Sequence, residues 1–314
     1  MKKFLLKVSI WVVALFFFFT VILYPLNPSI TANKKRTCIE LYNMKNVDLL
    51  ILGSSRAEHS VNPSLFADSL TIFNAGEDGY GLPSSYFLLK ALLQKHHLKV
   101  KKVLFQIDET AMNGDEGFSR KFRDDAFVED IQDDEVYEAY KTYRNPYIAH
   151  ALKTFPQSSN LIYTNFRNFI TNYPAVLKTY SKTIEDIYNK DIEKIHTTKG
   201  YAALYENRET KKNNSKKKYI IQHDDLDYLK KLVALCKQYD IDLCMFRAPI
   251  LHCNEDDATL FDEFITSYSK ENNIPFLDYK CEYQNPSFYF DKTHITDTGA
   301  TLLTQKIITN LYFN

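Results

Sequence analysis

The chain has 314 residues, 45% of them apolar and 25% charged, with 39 basic and 39 acidic side chains. These are ordinary values for a folded body of one large or two small domains. Without a basic excess there is nothing to track a polyanionic backbone, which argues against a nucleic-acid partner.

Lys2, Lys3 and Lys7 precede an apolar run from Val8 to Leu26, about as long as a bilayer core requires. A secretory signal has a shorter apolar region followed by a small-x-small cleavage site. This run ends in Tyr24-Pro25-Leu26-Asn27-Pro28 and carries no such pair. Residues 1–26 are therefore expected to be an uncleaved transmembrane anchor, a cleaved signal being the alternative. The lysines ahead of the run place the N-terminus in the cytoplasm and the body outside. Lys34, Lys35 and Arg36 pull the other way from further downstream. Residues 27–46 read as a linker.

From residue 47 strand and helix signals alternate. Val47–Leu52 is an apolar run closed by Gly53, as a buried parallel strand would be. Asn62-Pro63-Ser64 predicts a short helix through Leu70. Thr71–Asn74 reads as a second strand, Leu82 onward as a helix, and Val100–Ile107 as a third strand that ends at Asp108. Residues 111–222 break the pattern. Rich in tyrosine, they read as a mostly helical insertion ending in a basic loop (Lys211, Lys212, Lys216, Lys217 and Lys218), either solvated or in contact with an anionic polymer or lipid. Alternation resumes with a helix over 225–239, a strand from Ile241 to Ala248 halted by Pro249, a helix over 256–272, a strand within Ile274–Tyr279, and a last helix from Thr296 to Leu311. Five strands with intervening helices imply a parallel sheet covered on both faces.

The five cysteines, Cys38, Cys236, Cys244, Cys253 and Cys281, include no CxxC and no Cys/His pair at zinc spacing, so no metal site is expected. Cys253 and Cys281 follow the fourth and fifth strands, which should be neighbours, and are candidates for a disulfide outside the cytoplasm.

In open α/β sheets, chemistry gathers beyond the carboxyl ends of the strands. Three segments stand there. Gly53-Ser54-Ser55-Arg56 follows the first strand and exposes a hydroxyl beside a helix start, where free N–H groups can stabilise an oxyanion. Asn74-Ala75-Gly76 follows the second; glycine allows backbone to approach a ligand. Asp291-Lys292-Thr293-His294-Ile295-Thr296-Asp297-Thr298-Gly299 precedes the last helix. A serine hydroxyl needs a positioned base. His294 can supply one, and Asp291, three residues earlier, can fix its tautomer if the segment makes one tight turn. Thr296 is placed to cap the helix, and Gly299 to let it pack closely on the sheet. His59, His223 and His252 are weaker candidate bases, with His59 expected to point away from Ser55. Ser54 is the fallback nucleophile.

The run Asp-x-x-His-Ile-Thr-x-x-Gly resembles the last block of the SGNH/GDSL hydrolase superfamily. Gly53-Ser54-Ser55 resembles its first block, with serine in place of aspartate, and Asn74-Ala75-Gly76 its second. The resemblance covers residues 47–110 and 223–311. It implies a three-layer, flavodoxin-like fold, with Ser55 as nucleophile, His294 as base, Asp291 as its orienter, and an oxyanion hole made by the Ser55 and Gly76 amides. Arg56, Asn74, Asp108 and Asn113 are candidate supporting residues. Acyl–serine chemistry needs no cofactor, and none is expected.

The third block departs from the family. Where an asparagine side chain normally faces the oxyanion, this chain has Gln106-Ile107-Asp108-Glu109-Thr110, with no asparagine until Asn113. A carboxylate would repel an oxyanion, so Asp108 is expected to orient Arg56 or a backbone group. Losing one oxyanion donor costs about 10²–10³ in rate. Asn113 or the substrate could supply the donor; otherwise the enzyme is slow, or the chain is a non-catalytic relative. Membrane-anchored family members of polysaccharide acetylation and cell-wall alanylation systems share the same outline. The resemblance thus implies an ester hydrolase or O-acyltransferase acting on an acylated glycan or small ester. The alternative is a non-catalytic membrane protein that assists envelope polymer assembly through a protein partner.

Overall fold

The computed structural model describes residues 10–11, 40–109, 127, 130–143, 146–154, 197–205, 223–253 and 259–312. The chain divides into two compact units, one of Met1–Arg36 with Asp124–Ile195, the other of Thr37–Arg123 with His196–Asn314.

The second unit holds a parallel sheet of β1 (Asn46–Leu52), β2 (Ile72–Asn74), β3 (Lys99–Gln106), β6 (Asp242–Arg247) and β7 (Phe276–Asp278), in the order β2-β1-β3-β6-β7. Counted along these five strands the order is 2-1-3-4-5, the flavodoxin-like doubly wound arrangement, whose switch point lies between the first and third strands. Its helices are α1 (Ser55–Glu58), α2 (Leu82–Gln94), α5 (His223–Gln238), α6 (Thr259–Asn272) and α7 (Asp297–Tyr312).

The strands form where they do because both faces are covered. Leu49, Ile51, Leu104 and Phe246 are buried in one cluster with Ala300, Leu303 and Ile307 of α7. The alternate set, Leu50, Leu52, Val103, Phe105 and Met245, is equally buried and points the other way by the two-residue period of a strand. On α2, Phe87, Leu88, Leu92 and Leu93 are buried, and α2 packs against α5, with Phe87 meeting Tyr228 edge-on.

The predicted helix from Asn62 is a single 3-10 turn, Pro63–Leu65. Asn62 caps it through the Ser64 amide, but Phe66 is already extended, and Ser64, Asp68 and Ser69 lend a longer helix little support. The disulfide between Cys253 and Cys281 is present, and Cys236 and Cys244 are buried thiols. Cys38 lies outside the described residues.

The described residues of the insertion, expected to be mostly helical, hold two helices and a hairpin. The first unit contains α3 (Asp134–Tyr143) and α4 (Pro146–Thr154), which pack together. Residues 197–202 belong instead to the sheet-bearing unit, as an antiparallel hairpin of β4 (Thr197–Thr198) and β5 (Tyr201–Ala202). Its two-residue loop, Lys199-Gly200, has φ of 49° and 83°, the positive pair that a tight hairpin turn demands. The basic cluster at 211–218 and most of the predicted anchor lie outside the described residues; of the anchor only Ile10 and Trp11 are described. Among the described residues no helix is long and apolar enough to cross a membrane.

Candidate active site

The turn after β1 can be made only with glycine at its first position. Gly53 has φ +142°, and a Cβ there would stand 2.7 Å from Gln106 Cβ and 3.0 Å from Ala57 Cβ. Ser54 caps the one-turn helix α1, accepting from the Arg56 amide at 3.3 Å. Its own hydroxyl and amide donate to Gln106 Oε1 at 2.8 and 3.2 Å. That engagement ties Ser54, the fallback candidate, to the end of β3, whereas Ser55, the first residue of α1, has its side chain toward the turn that precedes α7.

That turn is built on Asp291. Its Oδ1 accepts the Thr293 and His294 amides at 2.8 and 2.9 Å, and the Phe290 amide closes the loop on the His294 carbonyl at 2.9 Å. The His294 ring is thereby delivered with Nδ1 at 3.0 and 2.9 Å from the two Asp291 oxygens and Nε2 at 2.8 Å from Ser55 Oγ. The tautomer follows from the partners. An ionised carboxylate only accepts, so Nδ1 carries the proton, and the bare Nε2 can accept the Ser55 hydroxyl proton. Partial burial works against the charge on Asp291, but the ring of His294 and the two amides outweigh it and hold the carboxyl well below the usual carboxylate range.

Beneath Ser55 lies a buried polar layer. Arg56 Nη1 donates to Asp108 Oδ2 at 2.6 Å, and its Nη2 donates to the carbonyls of Ala248 and Pro249. Asp108 also accepts from Gln106 Nε2 at 2.7 Å. Asp108 thus holds Arg56, and together they tie the Gly53–Arg56 turn to the ends of β3 and β6. Next to them, Arg247 makes a paired contact with Asp278 and another with Asp262, and lies 3.6 Å from Glu109. Glu109 Oε2 is buried without a hydrogen bond. Burial, then repulsion from Asp108, push the Glu109 carboxyl upward against the pull of Arg56 and Arg247. Arg56 just after the first strand, Arg247 at the end of the fourth and the Asp108-Glu109 pair after the third were the available sequence signal for this layer.

Asn74 braces α1 from the other side. Its Nδ2 donates to the Ala57 and Val61 carbonyls, each at 2.8 Å, and its Oδ1 accepts the Gly76 amide at 3.0 Å. The Gly76 amide, expected as an oxyanion donor, thus donates to the side chain two residues earlier. Gly76 is needed for closeness, since a Cβ would lie 2.7 Å from both Ala57 Cβ and the Glu58 nitrogen. The Ser55 amide, at the first position of α1, has no acceptor among the described residues. Asn113 lies outside the described residues.

His59 does not point away. It ends α1, donates Nδ1–H to the Ala202 carbonyl at 2.7 Å, and meets the His294 ring edge-on with centroids 5.7 Å apart. Nothing near residue 59 in sequence signalled this, because the partner comes from the β4–β5 hairpin. His252 is exposed in a turn with φ 61°, and the side chain of His223 lies outside the described set. Thr296 does cap α7, its Oγ1 accepting the Gly299 amide at 3.4 Å. Gly299 packs on the Phe288 carbonyl rather than on the sheet, and a Cβ there would stand 2.6 Å from that oxygen. Among the described residues no group of three or more His, Cys, Asp or Glu is arranged to hold a metal ion.

No family model matches the sequence, and no curated protein matches it. Among solved structures, the chain is similar to a candidate platelet activating factor from Streptococcus pneumonia, at 12% identity over 93% of this chain and 98% of that one, with a TM-score of 0.39. It is also similar to a candidate acylhydrolase from Bacteroides fragilis, at 12% identity over 89% of this chain and 97% of that one, with a TM-score of 0.40.

Proposed function

We propose that the chain is a serine-dependent ester hydrolase or O-acyltransferase. The observation that carries this reading is the continuous line Ser55 Oγ, His294 Nε2, His294 Nδ1, Asp291, with hydrogen-bond distances throughout. Ser55 Oγ attacks the ester carbonyl carbon while its proton passes to His294 Nε2. Asp291 stabilises the imidazolium that forms. The oxyanion faces the Ser55 amide. The tetrahedral species collapses, and the departing alkoxide takes the proton from Nε2. A water or sugar hydroxyl then gives its proton to Nε2 and attacks the acyl–serine; the C–Oγ bond breaks, Oγ takes the proton back from Nε2, and acid or transferred ester leaves.

The substrate proposed is an acylated glycan or a similar small ester. The proposal extends to a single-pass membrane protein, held by residues 8–26, with the N-terminus cytoplasmic and the active site outside. The lysines before the apolar run support this orientation, and so does the Cys253–Cys281 disulfide, a bond that persists in oxidising compartments.

The test is turnover of p-nitrophenyl acetate and of acetylated glycans by wild type and Ser55→Ala. The reading requires activity in the first and its loss in the second; equal activity in both overturns it. A second reading, a non-catalytic partner in envelope polymer assembly, draws on the engaged Gly76 amide and on a carboxylate, Asp108, in place of the family's asparagine. It requires that wild type neither turns over esters nor reacts with a fluorophosphonate.

A further inference from the structure

The β4–β5 hairpin touches the site on both sides. Asn74 N donates to the Lys199 carbonyl at 2.9 Å on the β2 side. Gly200 lies so close to Asn74 that a Cβ there would stand 1.8 Å from the Asn74 carbonyl oxygen. On the histidine side, the Tyr201 hydroxyl donates to Asp297 Oδ1 at 2.8 Å, and the Asp297 amide donates to the Leu204 carbonyl at 2.8 Å. Between these anchors the Ala202 carbonyl holds His59 by Nδ1. Tyr201 and Ala202 are buried, and Tyr201 belongs to the cluster that includes α7.

A base that shuttles protons must keep Nε2 on the serine oxygen while its own charge changes. Asp291 fixes only the Nδ1 edge of His294, and a ring held at one edge can still swing about that contact. The His59 ring, 80° to the His294 plane at 5.7 Å, blocks one direction of that swing. His59 is itself unable to turn freely, because a carbonyl only accepts and so pins the Nδ1–H tautomer.

We infer that His59 is a second positioning residue for His294, and that the 197–205 hairpin sets it, so that the end of the insertion is part of the catalytic machinery. The inference rests on the reading of Ser55, His294 and Asp291 as the reacting triad. A misplacement of about 1 Å costs up to 10²-fold in rate, which sets the scale of the expected effect. The groups facing His59 are Glu58 on α1 (Oε2 at 3.9 Å from Nε2), Asp78 after β2, and Asp291 and His294 before α7; the hairpin brings the Ala202 carbonyl. Burial, and then the charge of His294, lower the pKa of His59 against the pull of the Ala202 carbonyl and the two aspartates. Burial and the neighbouring His294 charge thus both work against a positive charge on His59.

The experiment uses the full chain, with p-nitrophenyl acetate kinetics across pH and the rate of fluorophosphonate labelling at Ser55. His59→Asn keeps a donor for the Ala202 carbonyl and removes the ring. Tyr201→Phe keeps the ring of residue 59 and loosens the hairpin from Asp297. The expected result is a fall in kcat of about tenfold with little change in KM for His59→Asn, a smaller fall for Tyr201→Phe, and a shallower acid side of the kcat profile in His59→Asn. A spectroscopic measurement stands beside this should a variant lose activity by unfolding. In histidine-labelled protein the His294 Nδ1–H proton signal is expected to be slow to exchange in wild type and broadened in His59→Asn. Wild-type rates and acid limbs in both variants, with Ser55-dependent activity intact, overturn this inference and leave the triad standing. A wild type without Ser55-dependent turnover or labelling overturns the triad, and the inference with it.

Discussion

Arg56 and Asp108 meet at 2.6 Å, both buried, and their contact joins the turn that carries Ser55 to the end of the third strand. Removing one member of a buried ion pair leaves the other charge uncompensated, at a cost of about 3–5 kcal/mol. Asp108→Ala is expected to destabilise the fold on that scale and to displace the carbonyl-bound Arg56. Urea unfolding checks it, and a midpoint unchanged from wild type would show that the pair contributes nothing net.

Asn74 satisfies two carbonyls of the segment that follows Ser55. The Ala57 carbonyl still accepts the Ser60 and Val61 amides, but Asn74→Ala removes the side-chain partner of the Val61 carbonyl and of the Gly76 amide, and an unsatisfied buried polar group costs about 1–3 kcal/mol. The expected outcome is lower thermal stability together with slower labelling of Ser55, since α1 loses its brace.

Glu109 bears on stability through pH. Its carboxyl is pushed above the usual value, chiefly by burial. A raised pKa means that the favourable protonated form is fully present below the unfolded value and is lost as pH rises through the folded one. Glu109→Gln should therefore match wild type near pH 4 and become the more stable protein as pH rises. Unfolding midpoints measured at acid and at neutral pH decide it, and a Gln variant less stable at neutral pH contradicts it.

Asp291 behaves in the opposite sense. Its carboxyl is held low, so what it contributes is present above the ordinary carboxylate pKa and lost only as pH falls below that range. Loss of activity in mild acid then belongs to other groups. In Asp291→Asn the amide can donate to Nδ1, which moves the ring proton to Nε2 and points it at Ser55. A rate loss of about 10⁴ is expected from that wrong tautomer, with the fold retained. A loss below tenfold would contradict the role given to Asp291.

Four of the five strands were legible because apolar residues run up to one that stops them, Gly53, Gly76, Asp108 and Pro249, and the observed ends of all five fall within two residues of the expected ones. The Asp291–His294 turn was legible because its contacts are local. What escaped is non-local or depends on side-chain competition. His59 follows a one-turn helix, so its direction is set by a carbonyl 143 residues away. The hairpin that provides the carbonyl has strands of two residues, too short for any alternation to register. The Gly76 amide was open by residue type alone, and closed by the reach of Asn74, whose side chain bonds the backbone two residues on.

The most direct measurement is intact-mass and peptide analysis of the purified chain after exposure to a fluorophosphonate. The account predicts one adduct, on the peptide that carries Ser55, absent in Ser55→Ala and strongly slowed in His294→Ala. No adduct in wild type, or an adduct that persists in Ser55→Ala, would contradict it.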